Sequence, residues 1–187
     1  EAAVDEHELR DRTFEEVLLA RFDRFRGMSA QQITQELDPN MNTTAKGFVA
    51  DLARRMIGVK SRKIEEFEKA GIIMKVVRVQ ANGRPRESMS FPAFRYKQLI
   101  TQNWFESDLR ELLSRRFLFV FFDIRGDELF FSHAAFWAMP ETVLDGEVRL
   151  VWEETVRRIC CGRAHDLPRT GFSAVAHVRP HAQNRND

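Results

Sequence analysis

The chain has 187 residues, 43% of them hydrophobic and 30% charged, with 16 phenylalanines; such a composition can bury a core and excludes a disordered segment. One domain spanning residues 1–187 is the expectation at this length. Basic and acidic residues number 29 and 28, a net charge of +1, so overall charge does not announce a polyanionic partner.

The longest uncharged apolar runs, Phe117 to Phe122 among them, fall far short of a membrane span, and no signal-peptide pattern opens the chain. The cysteines are the adjacent pair Cys160 and Cys161, which cannot staple distant segments or complete a zinc site alone. A cytoplasmic protein with no membrane partner is expected. Charge is segregated. Residues 1–16 hold seven acids against Arg10 and Arg12, whereas Arg54 to Lys63 holds five bases and no acid. Arginine outnumbers lysine 23 to 6; its planar fork suits phosphate and guanine edges, although a GC-rich genome enriches arginine without any function.

In chain order, Thr13 with Glu16 forms a capping box ahead of the apolar spacing Phe14, Val17, Leu18, Phe22, Phe25, and Gly27 closes this first helix. Ser29 with Gln32 repeats the signal for a short helix ending near Asp38 and Pro39. Thr44 opens a longer helix through Met56, stopped at Gly58. Residues 1–43 are thus a helical amino-terminal part. From Ile72 to Val79 β-branched residues take over, and Asn82-Gly83 before Glu87 to Phe91 predicts a β-hairpin. Phe117 to Phe122 reads as a central strand buried on both faces, and Leu129 to Trp137 as another strand. Asp145 to Ile159 is a helix by its apolar spacing, Ser173 to Val178 alternates as a last strand, and Arg179 to Asp187 is a polar tail. The fold class is α/β, a mixed sheet flanked by helices.

The acids before Ile72, followed by Lys75 on a strand, outline a metal-dependent nuclease core. There, one acid before the strand and one on it hold magnesium, and a lysine two residues on shares the strand face. Alone this pattern is weak, because acidic turns before strands are common.

More of the chain carries it. Lys46-Gly47-Phe48-Val49, Leu52 and Gly58 before this unit, then Trp104, Leu118, Trp137 ahead of Pro140, Trp152 and the run His177 to His181, resemble the MutH mismatch-repair endonuclease and the GATC-cleaving Sau-type restriction enzymes. The resemblance spans residues 44–187. Glu65–Ile72 (EEFEKAGI), Glu87–Phe94 (ESMSFPAF) and Phe117–Phe122 (FLFVFF) are most similar to the second, carboxy-terminal MutH-like domain of those enzymes. It implies a restriction-endonuclease-like core and an effector role, in which one domain cuts DNA and its companion binds a further site. The chain, which opens without Met, then reads as a piece of a longer site-specific deoxyribonuclease.

Residue by residue, the resemblance puts the family's DNA-contacting lysine on Lys46. Its three metal acids fall on Arg54, Glu66 and Ile73, and its lysine on Lys75. Two acids are replaced, one of them by a cation, so no catalysis and no metal or other cofactor is expected here, magnesium belonging to the parent nuclease. The recognition segment falls on Arg179, Pro180 and His181, and the hairpin arginines Arg84 and Arg86 complete the expected contacts to double-stranded DNA. The expected partners are that DNA and the companion catalytic domain. One alternative is an active magnesium nuclease recruiting replacement carboxylates such as Glu65 or Glu68; another is a protein-interaction module packing on the catalytic domain.

The other conspicuous side chains have plainer readings. His133 is expected in a core or interface, Cys160 and Cys161 as buried thiols, and Trp104 and Trp137 as core anchors. Ser88 and Ser90 have no histidine nearby in sequence, so nucleophilic catalysis is discounted.

Overall fold

The computed structural model describes residue 4, residues 9–61 and residues 63–179. The first two helices start where their side chains predict. In α1 (Phe14–Asp23) Thr13 and Glu16 bond reciprocally, and in α2 (Ala30–Leu37) Ser29 and Gln32 do the same. Each box satisfies two amide donors that a helix start leaves open. Thr44 does not open the third helix. Its amide and hydroxyl both donate to Asn42 Oδ1, at 3.0 and 2.8 Å, a local turn that competes with helix. Accordingly α3 runs only Phe48–Met56, after Gly47.

The acids before the strand form a short helix, α4 (Glu65–Ala70), whose C-cap Gly71 is left-handed at φ 63°. That conformation, costly for any side chain with a Cβ, turns the chain directly into β1 (Ile72–Val79). A sheet of order β1-β2-β3 follows, with β2 (Arg116–Arg125) central and β3 (Glu128–Ala138) on its far side. Strand β2 pairs in parallel with β1, Ile73 beside Phe117 and Lys75 beside Phe119. Between β2 and β3 only Gly126 and Asp127 intervene, too few residues for anything but a reversal, so the sheet is mixed.

The predicted hairpin survives only as a turn. Gly83 N–H donates to Gln80 O and Gln80 N–H to Arg84 O, both at 2.9 Å, and Arg86 N–H reaches Arg78 O at 2.8 Å. A single antiparallel bridge joins Val79 and Pro85. Pro85 and Pro92 lack the N–H a ladder needs, so Glu87 to Phe91 is coil instead of a strand. Ser173 to Val178 is not a strand either. The Val178 N–H donates to Pro168 O at 2.7 Å, a loop contact, and Val175 stays exposed.

The chain divides into two compact units, residues 1–88 with 116–137, and residues 89–115 with 138–187. In the first, Leu118, Val120 and Phe122 of β2 are wholly buried against Leu18, Phe22, Ile33, Leu52, Phe67 and Phe131. Along β3 the core-packed residues are Leu129 and Phe131, then Ala134 and Phe136; this change of parity takes one extra residue, as in a bulge. Phe131 lies 5.9 Å from Phe22 and 5.6 Å from Phe122, ring to ring. Phe131→Ala should therefore cost about 3–5 kcal/mol, seen as a lower urea midpoint at unchanged slope.

The second unit holds α5 (Tyr96–Leu99), a 3-10 turn at Trp104–Glu106, α6 (Asp108–Leu113), α7 (Glu141–Val143), a π-helical stretch Leu144–Val148 and α8 (Arg149–Cys160). Helix thus begins directly after Pro140, earlier than Asp145. Asp145 accepts two bonds from Arg110, at 2.8 and 3.0 Å, and one from the Trp104 indole at 2.6 Å. Arg110 first and Trp104 second lower its pKa from 3.8 to about 2. A depressed folded value means stability fully present above 3.8 and lost as pH falls toward about 2. Asp145→Asn should remove that acid limb from the unfolding curve of this unit, followed by Trp104 fluorescence. No helix among the described residues is long and apolar enough to cross a membrane.

Candidate nucleic-acid interface

The two faces of the sheet differ. Because β1 and β2 run in register, side chains at partnered positions share a face. Met74 and Val76 point with Leu118 and Val120 into the core, which leaves Ile73, Lys75 and Val77 beside Phe117, Phe119 and Phe121 on the opposite face. That second face is aromatic. Phe117 and Phe119 stack at 5.7 Å, Trp137 lies 5.7 Å from Phe119, and the His133 ring lies 4.5 Å over Phe121. Lys75 is half-buried there, and burial lowers its pKa below the ordinary lysine value.

His133 is accordingly exposed, not a core residue, and Trp137 is 40% exposed, because both stand on the side of β3 away from the core. Trp104 is the buried anchor expected, packed 5.8 Å from Trp152. Cys160 and Cys161 are exposed instead of buried, since the buried stripe of α8 runs through Val151, Trp152 and Thr155 and the helix ends off that stripe.

Of the positions that the resemblance sets against the family's metal acids, Arg54 lies in the last turn of α3 and Glu66 in the first turn of α4, and both helices pack on the strand carrying Ile73 and Lys75. Arg54 is mostly buried and ion-paired to Asp51 one turn earlier. Asp51 was not singled out from sequence, though its i, i+3 spacing to Arg54 was the signal available. Glu66 accepts the Val4 amide on Oε1 at 3.3 Å. Glu65 and Glu68 stand exposed, within 3.9 Å of Lys69 and 3.7 Å of Lys63. Among the described residues no three His, Cys, Asp or Glu side chains converge as a metal site would require.

The cations sort themselves by partner. Arg24 pairs with Glu36, Arg55 with Asp38, Arg116 with Glu15, Arg149 with Glu153, and Arg157 and Arg158 with Glu154. Glu154, held first by Arg157 and then by Arg158, keeps its pKa at about 2. Lys46, Arg84, Arg86 and Arg179, by contrast, are exposed and have no carboxylate partner among the described residues. Lys46 sits in the turn before α3. Arg84 and Arg86 sit on the finger after β1, where Gly83 at φ 75° makes the turn and the Arg78–Glu87 pair clamps the stem. These three lie in the first unit, and Arg179 lies in the second. Pro180 and His181 lie outside the described residues.

The chain is similar in sequence to a type II restriction enzyme. The relative concerned is the type II restriction enzyme Sau3AI of Staphylococcus aureus: the two are 26% identical over 216 aligned positions, covering 97% of this chain and 43% of that enzyme. No family model matches the chain.

Proposed function

We propose that the chain is a catalytically silent, GATC-directed DNA-binding domain of a type II restriction endonuclease, acting as an effector in a cytoplasmic restriction-modification system. On this reading residues 1–187 form a MutH-like, restriction-endonuclease-like fold, and a companion catalytic domain supplies cleavage. The chain spans under half of Sau3AI's length, which leaves room in such a polypeptide for that companion.

The observation that carries the proposal is the donor set of the three metal positions: the guanidinium of Arg54, the carboxylate of Glu66 and the hydrocarbon of Ile73. Magnesium requires near-octahedral oxygen coordination. One carboxylate beside a guanidinium does not fit it, so no cleavage step is assigned to this chain and its magnesium would belong to the parent nuclease. Binding falls to the partner-free cations. Lys46, Arg84 and Arg86 suit phosphates, and the fork of Arg179 suits guanine O6 and N7, with Pro180 and His181 continuing that segment.

A second reading, an active magnesium nuclease with replacement carboxylates, draws on Asp51, which stands one turn from Arg54. Glu65 and Glu68 serve it less well, being at surface ion pairs. Binding of the chain to a GATC duplex and a scrambled duplex, with and without magnesium and with cleavage read in parallel, separates the readings. Preferential binding without cleavage supports the effector, cleavage supports the nuclease, and the absence of binding leaves an interaction module.

A further inference from the structure

Between Glu87 and Glu106 the sequence has no acid, and it includes Phe94-Arg95-Tyr96-Lys97. Phe94 is 43% exposed and Tyr96 39% exposed, their ring centroids 6.0 Å apart and their planes inclined at 48°. Arg95 and Lys97 are exposed, and neither has a carboxylate partner among the described residues. Leu99, one turn on, is buried and anchors the segment. Arg95 is extended at φ −96° and ψ 130°, and the chain enters α5 directly after it. All of this lies within the second unit.

Two neighbouring exposed rings make a small apolar contact surface, and the cations beside them identify what fits it. A protein interface sheds charge at its core, whereas here the rings alternate with two uncompensated positive charges. A ligand matching both must carry flat apolar faces at the spacing of repeated negative charges, which is the description of an unstacked nucleic acid. Duplex DNA hides its base faces, so the rings engage a base that has left the stack. We propose that Phe94 and Tyr96 form a stacking platform for unstacked nucleobases of DNA, with Arg95 and Lys97 holding the flanking phosphates. The inclination of the rings makes two separate stacking faces, not one slot. The inference rests on the DNA-binding reading above and adds to it a site for single-stranded or locally opened DNA.

The test uses the whole chain, a 2-aminopurine-labelled single strand, a GATC duplex, and heparin as a polyanion without bases. Leucine keeps apolar volume and removes the π-face, so the Phe94→Leu, Tyr96→Leu double variant should bind the single strand at least about tenfold more weakly, with heparin binding unchanged. Tyr96→Phe should stay within about twofold of the original chain, because the stacking ring remains. Circular dichroism melting checks that each variant folds, and the single leucine variants stand in if the double one does not. Equal single-strand affinity in the original chain and the leucine variants overturns the platform while leaving duplex binding intact. Parallel loss of heparin affinity also overturns it, since charge and not stacking would have been lost. Single-strand binding without duplex binding supports the platform and removes the effector reading, whereas binding to neither removes both.

Discussion

Affinity for a GATC duplex is expected to fall about 40-fold between about 50 and 200 mM salt. That value follows if Lys46, Arg84 and Arg86 each neutralise one phosphate, because the logarithm of affinity falls with a slope near −0.9 per phosphate. Lys46, Arg84, Arg86 and Arg179 are exposed with no carboxylate partner among the described residues, as are Arg95 and Lys97, which the stacking platform assigns to opened DNA. An arginine such as Arg158, already shared between Glu154 and Asp166, would have to break its own pairs to reach DNA. Replacing Lys46 or Arg84 with glutamine should reduce the slope by about 1 and weaken all sequences alike. Arg179→Ala should instead bring the GATC and scrambled duplexes closer by about 1–3 kcal/mol, if its fork reads guanine. Salt-independent binding, or an Arg179→Ala chain with undiminished sequence preference, would remove these roles.

Incubated with a GATC duplex and magnesium, the chain should leave both strands intact, and Ile73→Glu alone should not change that. Position 73 shares its strand face with Lys75, so glutamate there would restore a carboxylate two residues before the lysine. Arg54 would still oppose the ion. At about 4 Å and an effective dielectric near 20, an uncompensated cation repels each unit of metal charge by about 4 kcal/mol, an upper bound for Arg54 because Asp51 is paired with it. Arg54→Glu with Ile73→Glu removes that repulsion and also frees Asp51 from its ion pair. The double variant should therefore bind magnesium, read by calorimetry, and nick the duplex, read on a denaturing gel. Nicking by the unaltered chain, free of contaminating nuclease, would replace the effector with the enzyme.

The family resemblance assigns Arg54, Glu66 and Ile73 to the metal positions and so names the expected donor set, but it does not give the environment of each position. That Arg54 is answered by Asp51 depends on helix geometry, and that Lys75 is half-buried on an aromatic floor depends on a strand 41 residues later in the chain, where Phe119 is its Cα partner in the parallel register. Glu65 and Glu68, attractive in sequence as replacement ligands, are exposed beside Lys69 and Lys63.

The sequence by itself determined what rests on neighbours a few positions apart: the capping boxes of Thr13 with Glu16 and Ser29 with Gln32, the Asn82-Gly83 turn, and the strand character of Phe117 to Phe122. Those signals are local hydrogen bonds and local apolar density, present before any tertiary contact forms. Only the tertiary structure decided the parallel pairing of β1 with β2, the parity change in β3, the exposure of Trp137 and of both cysteines, and the loss of strands at Glu87 to Phe91 and Ser173 to Val178. A strand exists when a distant edge supplies its missing bonds, and a side chain is buried when a distant element covers it. Neither partner is written beside the residue it completes.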